Sequence, residues 1–169
     1  MSGRWHSNVR MTTNIRPATP ADVPQILRFI RALGEYEHLA HDISATEQAL
    51  TATLFGAKRY AEVVLADCDG QPAGFALYFH NYSTFLAQPG IYLEDLFVDP
   101  PYRGRGVGKT LLKELARIAV DRGCARLDWS ALDWNRTAID FYLRLGAVEL
   151  NGWSLYRLAG EALRRMASQ

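Results

Sequence analysis

A glycine-rich segment at residues 103–108, Arg-Gly-Arg-Gly-Val-Gly, has the composition of an anion-binding loop. It follows an apolar run typical of a strand and precedes apolar residues at helical spacing. Glycines at alternate positions allow backbone N–H groups to point into one concavity, and a helix N-terminus adds about half a positive charge there. The segment therefore predicts a site for a phosphate or pyrophosphate group.

Three other interpretations of this loop are possible, and the spacing of its residues excludes two of them. The Gly108-Lys109-Thr110 tail resembles a P-loop, but that motif needs a glycine five residues before Gly108, where Arg103 stands. The dinucleotide-binding fingerprint also fails, because the three glycines of the segment are spaced two and two. A glycine-rich turn without any ligand stays open on spacing alone.

Two carboxylates, Glu94 and Asp95, interrupt the otherwise apolar pattern of residues 91–98. Burying an unpaired carboxylate is costly, so this pair needs a partner or a chemical role. One interpretation is an ion pair at the strand end with Arg103 or another arginine. The other is a general base for an amine, since an alkyl ammonium has a pKa of about 10.4 and only about one amine in 2,500 is unprotonated near pH 7. The residues alone favour neither.

Alternating strands and helices must position these groups. The turn pair Asp69-Gly70 favours a hairpin, Gly34 is expected to end the first helix, and Ser44 or Thr46 is expected to cap the second. The order β-α-α-β-β-β-α-β-α-β-α predicts an α/β fold with a mixed sheet and helices on both faces. Periodicity predicts strands at 13–17, 61–66, 73–82, 91–98, 126–132 and 153–158, and helices at 23–33, 45–55, 111–119, 135–145 and 161–167.

The pattern Arg103-x-x-Gly106-x-Gly108 resembles the R-x-x-G-x-G/A signature of the GNAT superfamily of N-acetyltransferases. Further blocks at 15–19, 92–98, 133–135 and 141–147 resemble its diamine/thialysine (spermidine/spermine acetyltransferase-like) branch, in the same order and over nearly everything from residue 14 on. The resemblance implies a GNAT fold, α/β (α+β), with a mixed, mostly antiparallel central sheet flanked by helices on both faces.

The resemblance also implies an activity, the direct transfer of an acetyl group from acetyl-CoA to a primary amine. Glu94 would be the general base, acting directly or through a water, and Tyr142 would assist departure of the thiolate by donating a proton or a hydrogen bond. From the residues alone, Tyr142 is on the apolar face of its helix and is more typical of a core aromatic with a satisfied hydroxyl. The implied cofactor-binding residues are Leu96, Phe97, Val98, Arg103, Gly104, Arg105, Gly106, Val107, Gly108, Lys109, Asn135, Thr137 and Ala138. The implied acceptor-binding residues are Tyr36, Glu37, Glu94, Asp95, Asp128, Trp129 and Ser130.

Departures from the polyamine enzymes bear on the acceptor. Ser83 and Phe85 stand where those enzymes carry an aspartate and a tryptophan, and Asn151 stands where they carry a glutamate. A long polycation loses anchors at both ends, so we expect a small primary amine of the thialysine, lysine or diamine kind. Two rivals remain, a protein or peptide N-acetyltransferase and a non-catalytic acyl-CoA-binding module.

Composition narrows the class of protein. A formal net charge of +1, with basic residues scattered among acidic ones, argues against a nucleic-acid partner. Two distant cysteines and four histidines without ligand spacing predict neither a disulfide framework nor a metal site. No run of 18 apolar residues occurs, so we expect no membrane span and a cytoplasmic protein. We expect residues 1–11 to be a disordered extension and residues 12–169 to be a single domain, and the resemblance implies a homodimer.

Overall fold

A computed structural model describes residues 12–168 of the chain. These residues form five strands, five helices and three short 3-10 turns. The predicted extension at residues 1–11 lies outside the described residues. The strands are β1 (Thr13–Pro17), β2 (Glu62–Cys68), β3 (Gln71–Ser83), β4 (Gln88–Val98) and β5 (Leu127–Trp129). The helices are α1 (Val23–Tyr36), α2 (Glu47–Phe55), α3 (Val107–Asp121), α4 (Arg136–Arg144) and α5 (Gly160–Ala167).

The five strands form one sheet in the order β1-β2-β3-β4-β5. The first three pairings are antiparallel, and β5 joins β4 in parallel. Asp69 and Gly70 connect β2 to β3 with φ angles of 49° and 79°, as the predicted tight hairpin requires. A mixed, mostly antiparallel sheet was expected, and this part of the prediction is confirmed.

Helices cover the sheet on both faces, also as predicted. α3 contacts all five strands and buries Leu111 and Leu115 completely. Phe29 of α1 stacks on Phe75 of β3 with ring centroids 5.6 Å apart. The core on the α1 side of the sheet comprises Ile26, Phe29, Leu54, Val63, Leu65, Phe75 and Phe97. Alternate residues of β2, Val64 and Ala66, are buried as well, so the strand is covered on its second face.

Two local expectations fail inside the first part of the chain. Gly34 does not end α1, because the helix continues to Tyr36 and Gly34 is buried within it. A Cβ at Gly34 would lie 2.4 Å from Cδ1 of Ile43, so the glycine lets the segment after the helix pack closely. Of the two candidate caps of α2, Thr46 is the one that accepts a hydrogen bond, from the Ala49 N–H at 3.2 Å.

The chain divides into two compact units, which meet at Ser130 and Ala131. The second unit contains α4 and α5, and both helices match their predicted positions. The strand expected at residues 153–158 is wrong, because the residues between α4 and α5 form no strand. Trp153, Leu155 and Tyr156 are more than 80% exposed there. That residues 12–169 form a single domain stays a prediction.

Candidate functional site

A β-bulge in β4 lies at Glu94. In the antiparallel pairing of β3 with β4, Leu77 is opposite Asp95 whereas the next residue, Tyr78, is opposite Leu93. Glu94 is therefore the extra residue of the bulged strand. Because side chains alternate between faces, one extra residue exchanges the faces for everything downstream. Leu93 shares a face with Tyr78, and Asp95 shares the opposite face with Phe97 and α1.

Three carboxylates come together near this bulge. Asp95 is largely buried, and burial is the main reason that its pKa rises from 3.8 to about 6. The charges of Glu94 and of Glu37 raise the same pKa further. Glu37 follows the last residue of α1, and burial raises its own pKa. Such a cluster attracts a cation, and Asp95 keeps its proton to a higher pH than an ordinary aspartate.

Glu94 is exposed at the bulge. Within residues 12–168, no arginine or lysine lies within ion-pair distance of its carboxylate. Arg103, one partner considered for it, donates instead from Nε to the carbonyl of Val98 at 2.8 Å. The ion-pair interpretation of Glu94 is therefore not what this structure contains.

The strand ladder opens beyond the bulge. β5 pairs with β4 from Ile91 to Leu93 and ends opposite Leu93 at Trp129. Within the described part of the chain, no strand pairs with residues 94–98 on that side of β4. Leu96, Phe97 and Val98, the implied cofactor-binding residues of β4, lie along this open edge. Backbone groups that lack a strand partner at such an edge can bind an extended ligand.

The glycine loop has the conformation that an anion-binding turn requires. Gly104 and Gly106 have φ angles of 72° and 85°, in the left-handed region that favours glycine. Gly106 is the residue before α3, and no side chain caps the 15-residue helix. No atom lies within 4 Å of a Cβ built on either glycine, so the space above the loop is open. The residues present therefore fit a pyrophosphate at the start of α3.

The other residues of the loop differ in exposure. Arg105 and Lys109 are exposed, and Gly108 is partly exposed in the first turn of α3. Val107 is buried and anchors the loop to the core. Two exposed positive side chains therefore belong to the loop and the first turn of α3.

Three implied acceptor-binding residues lie at the end of β5 and contact the neighbouring strands. Asp128 accepts from Nε of Arg126 at 2.7 Å and from Nδ2 of Asn81 at 2.9 Å. Ser130 shares a hydrogen bond of 2.8 Å with the Tyr92 hydroxyl. Trp129 is partly buried on the same strand. The hydrogen bonds of Asp128 with Asn81 and of Ser130 with Tyr92 hold β5 against β3 and β4. The charge of Asp128 is balanced by Arg126, a partner that the sequence did not predict.

The remaining implied residues belong to the second unit. The Asn135 side-chain oxygen accepts from the Ala138 N–H at 3.2 Å and thereby caps α4, with Thr137 in the first turn. Tyr142 lies on α4, partly buried, with its ring 5.4 Å from the ring of Phe141. The structure thus brings together Glu37, Glu94 and Asp95, and separately Tyr36 and Arg103, within the first unit. Asn135, Thr137, Ala138 and Tyr142 lie at or within α4 in the second unit.

Comparisons with known proteins bear on the same residues. The model of the acetyltransferase (GNAT) family matches residues 28–147, which include the bulge, the glycine loop and α4. The chain belongs to this family. It is an N-acetyltransferase, and acetyl-CoA is the co-substrate of the family.

Individual relatives agree over most of their length. The chain is 40% identical to the thialysine N-epsilon-acetyltransferase of Bos taurus, with 92% of this chain and 97% of that protein covered. It is 34% identical to the L-ornithine N5-acetyltransferase NATA1 of Arabidopsis thaliana, covering 92% and 88%. An integron cassette protein from the mobile metagenome of V. cholerae has a similar structure, with a TM-score of 0.78, 31% identity and 94% and 99% coverage.

Residues 12–168 contain no group of three or more metal-binding side chains, within the residue types His, Cys, Asp and Glu. In the same range, none of the helices has the length and apolar character to cross a bilayer.

Proposed function

We propose that this acetyltransferase moves the acetyl group of acetyl-CoA to a primary amine of a small molecule, of the thialysine, lysine or ornithine kind or a diamine. The observation that carries the proposal is the carboxylate cluster at the bulge, formed by Glu37, Glu94 and Asp95. Such amines are cations near pH 7, and the cluster supplies negative charge at the strand where the family's chemistry takes place. The names of the thialysine and ornithine enzymes among the relatives support the same acceptor class.

The cofactor would be held by two parts of the first unit. Segment 103–109 would cradle the pyrophosphate through backbone N–H groups and the start of α3, with Arg105 and Lys109 adding positive charge. The open edge of β4 from Leu96 to Val98 would bind the pantetheine arm through its backbone. When bound, acetyl-CoA supplies an activated acetyl thioester.

Proton removal from the amine falls to Glu94. Its carboxylate is exposed and has no ion-pair partner among residues 12–168, so it is available to the acceptor, directly or through one water. Asp95, more deeply buried beside it, would anchor the ammonium group before transfer. Tyr36 and Glu37 would complete the acceptor side at the end of α1.

Tyr142 would assist departure of the CoA thiolate, an assignment that rests on the family motif. A phenol has a pKa near 10 and a thiol one near 8.5, so complete proton transfer would be uphill by about 2 kcal/mol. A hydrogen bond from the hydroxyl to the departing sulfur avoids that cost. Asn135, Thr137 and Ala138 at the start of α4 would contribute to cofactor binding.

The deciding experiment measures release of free thiol from acetyl-CoA by the purified chain, with thialysine, lysine, ornithine, putrescine and spermidine as acceptors. We expect the highest kcat/KM among the small amino acids or the diamine. Acetylation of peptides without acetylation of any small amine would favour the protein acetyltransferase. Binding of acetyl-CoA without turnover on any acceptor would favour the non-catalytic module.

We also propose that the enzyme is a cytoplasmic homodimer that acts on small molecules and not on nucleic acids or membranes. A small net charge and two free cysteines, Cys68 and Cys124, support a reducing compartment and a neutral partner surface. A row of exposed apolar side chains between α4 and α5 supports self-association, since large exposed apolar patches are rare on monomers.

A further inference from the structure

Arg103 contacts Tyr36, a residue of the acceptor side, as well as Phe97 and Val98 of the cofactor side. Its guanidinium carbon lies 4.9 Å from the ring centroid of Tyr36 and 5.5 Å from that of Phe97. Its Nε donates to the carbonyl oxygen of Val98 at 2.8 Å. Arg103, the first residue of the glycine loop, therefore contacts both the end of α1 and the end of β4.

The two aromatic partners of Arg103 differ in burial. Phe97 is 3% exposed and belongs to the core, so one face of the guanidinium contacts a fixed ring. Tyr36 is 37% exposed and is the last residue of α1, where the chain turns toward Glu37 and then His38 at a positive φ of 61°. No carboxylate lies within ion-pair distance of Arg103 among residues 12–168, so its charge is not neutralised by a carboxylate there. The arginine holds an exposed helix end against a rigid strand.

We infer that Arg103 is a positioning residue that couples the two substrate sites, because the residue that opens the cofactor loop also sets the place of the acceptor-side Tyr36 and Glu37. This inference rests on the proposed function. Ordering of the loop by acetyl-CoA orders Arg103, and Arg103 orders the end of α1. Acetyl-CoA binding then raises the affinity for the amine, and the amine raises the affinity for acetyl-CoA by the same factor.

A positioning role of Arg103 and simple phosphate binding by Arg103 predict different changes in the amine KM. A ligand of the phosphate alone would change acetyl-CoA affinity and leave the amine KM at saturating acetyl-CoA unchanged. A positioning residue changes both, and Tyr36, which is outside the loop, then also affects acetyl-CoA affinity. Cation–π contacts at exposed sites correspond to changes of about two- to fivefold in affinity.

The test compares Arg103→Gln, Tyr36→Leu and the double variant with two controls. Tyr36→Phe keeps the ring and loses only the hydroxyl. Arg117→Gln removes one charge from an exposed arginine of α3 that pairs with Glu114 and Asp121. For each variant we would measure the amine KM and kcat at saturating acetyl-CoA, the acetyl-CoA dissociation constant with and without amine, and the melting temperature. Arg103→Lys tests whether charge without a planar group suffices.

We expect Arg103→Gln and Tyr36→Leu each to raise the amine KM about two- to fivefold and to remove most of the mutual effect of the two ligands, with the double variant no worse than the worse single one. Tyr36→Phe and Arg117→Gln should retain the wild-type coupling, and Arg103→Lys should restore part of it. Additive losses, or an unchanged amine KM in Arg103→Gln, would overturn the inference while leaving the proposed function in place. A wild-type protein that acetylates no amine would overturn both.

Discussion

Asp95 combines burial with two neighbouring carboxylates, and the cost of its charge predicts a pH effect. The pKa rises from 3.8 to about 6 on folding. The stability that Asp95 contributes is therefore present below pH 4 and is lost as pH rises through 6. Above pH 7 the ionised group costs about 2–3 kcal/mol. We expect Asp95→Asn to melt at a higher temperature than wild type at pH 8 and to lose this advantage at pH 4.

The same substitution should harm amine binding. The amide cannot attract the ammonium group, so we expect a higher amine KM and the disappearance of an apparent pKa near 6 from the profile of kcat/KM for the amine. Equal pH profiles for Asp95→Asn and wild type would show that the buried carboxylate does not take part in acceptor binding.

Glu94 should govern the rate and its rise with pH. Gln has nearly the same shape and cannot accept the proton, so we expect Glu94→Gln to lower kcat/KM for the amine about 100-fold and to flatten the alkaline-rising limb. Glu47→Gln, an exposed glutamate at the start of α2, is the matched control. A wild-type profile in Glu94→Gln would point to another base or to selection of the free amine from solution.

Tyr142 should affect turnover more than binding. We expect Tyr142→Phe to lower kcat about tenfold or more with little change in the acetyl-CoA dissociation constant, because the hydroxyl would act only while the thiolate departs. Stopped-flow measurement of thiol release and calorimetric titration of acetyl-CoA separate the two effects. An unchanged kcat would remove Tyr142 from the mechanism.

At the scale of elements, the junction of loop and helix can be tested with two glycines of similar conformation. Gly106, before α3, and Gly123, after it, have φ angles of 85° and 67° with open space around a Cβ. Alanine at either position costs about 1 kcal/mol of stability for the left-handed backbone. We expect both alanine variants to melt earlier and only Gly106→Ala to weaken acetyl-CoA binding. Equal dissociation constants in the two variants would contradict the loop assignment.

The elements also show what could be predicted from sequence. Helix α3 follows from its apolar residues at helical spacing, and strand β4 from an apolar run that only Glu94 and Asp95 interrupt. The pair Asp69-Gly70 identifies the turn between β2 and β3. The run at 153–158, rich in apolar and aromatic residues, predicted a strand that is absent, because residue types do not show whether a strand edge is available to pair with. The prediction that Gly34 ends α1 was wrong, because the sequence does not distinguish a glycine required for close packing from one that ends a helix.

Within the site, the types of the residues were predictable but not their partnerships. The pKa of Asp95 is raised mainly by burial and further by the charges of Glu94 and of Glu37, which lies far away in sequence. The Arg103 guanidinium contacts Tyr36 across a comparable separation. Neither pairing leaves a local pattern, because both arise from the packing of α1 against the sheet. Whether Glu94 forms an ion pair likewise depends on where the arginines lie in the fold, and Arg103 donates to the Val98 carbonyl instead.

For the whole molecule, the exposed apolar segment between α4 and α5 predicts self-association. Val148, Leu150, Trp153, Leu155 and Tyr156 are each more than 70% exposed. We expect a dimer mass by light scattering, and a lower mass for Leu155→Glu, with Val120→Glu, an exposed apolar position on α3, as the control. A monomeric wild-type mass would contradict the proposal.

The single extra residue at Glu94 divides β4 into two stretches whose odd-numbered side chains lie on opposite faces of the sheet. Upstream of it, odd-numbered side chains belong to the α3 face, while downstream they belong to the α1 face. Changes of length before the bulge can be absorbed in the hairpin between β3 and β4. Deletion of Glu94 would remove the bulge but keep Leu93 opposite Tyr78 and Asp95 opposite Leu77, whereas deletion of Leu96 would turn Phe97 toward the wrong layer. Loop grafting or truncation in this enzyme should therefore keep that residue count unchanged from Glu94 to the glycine loop.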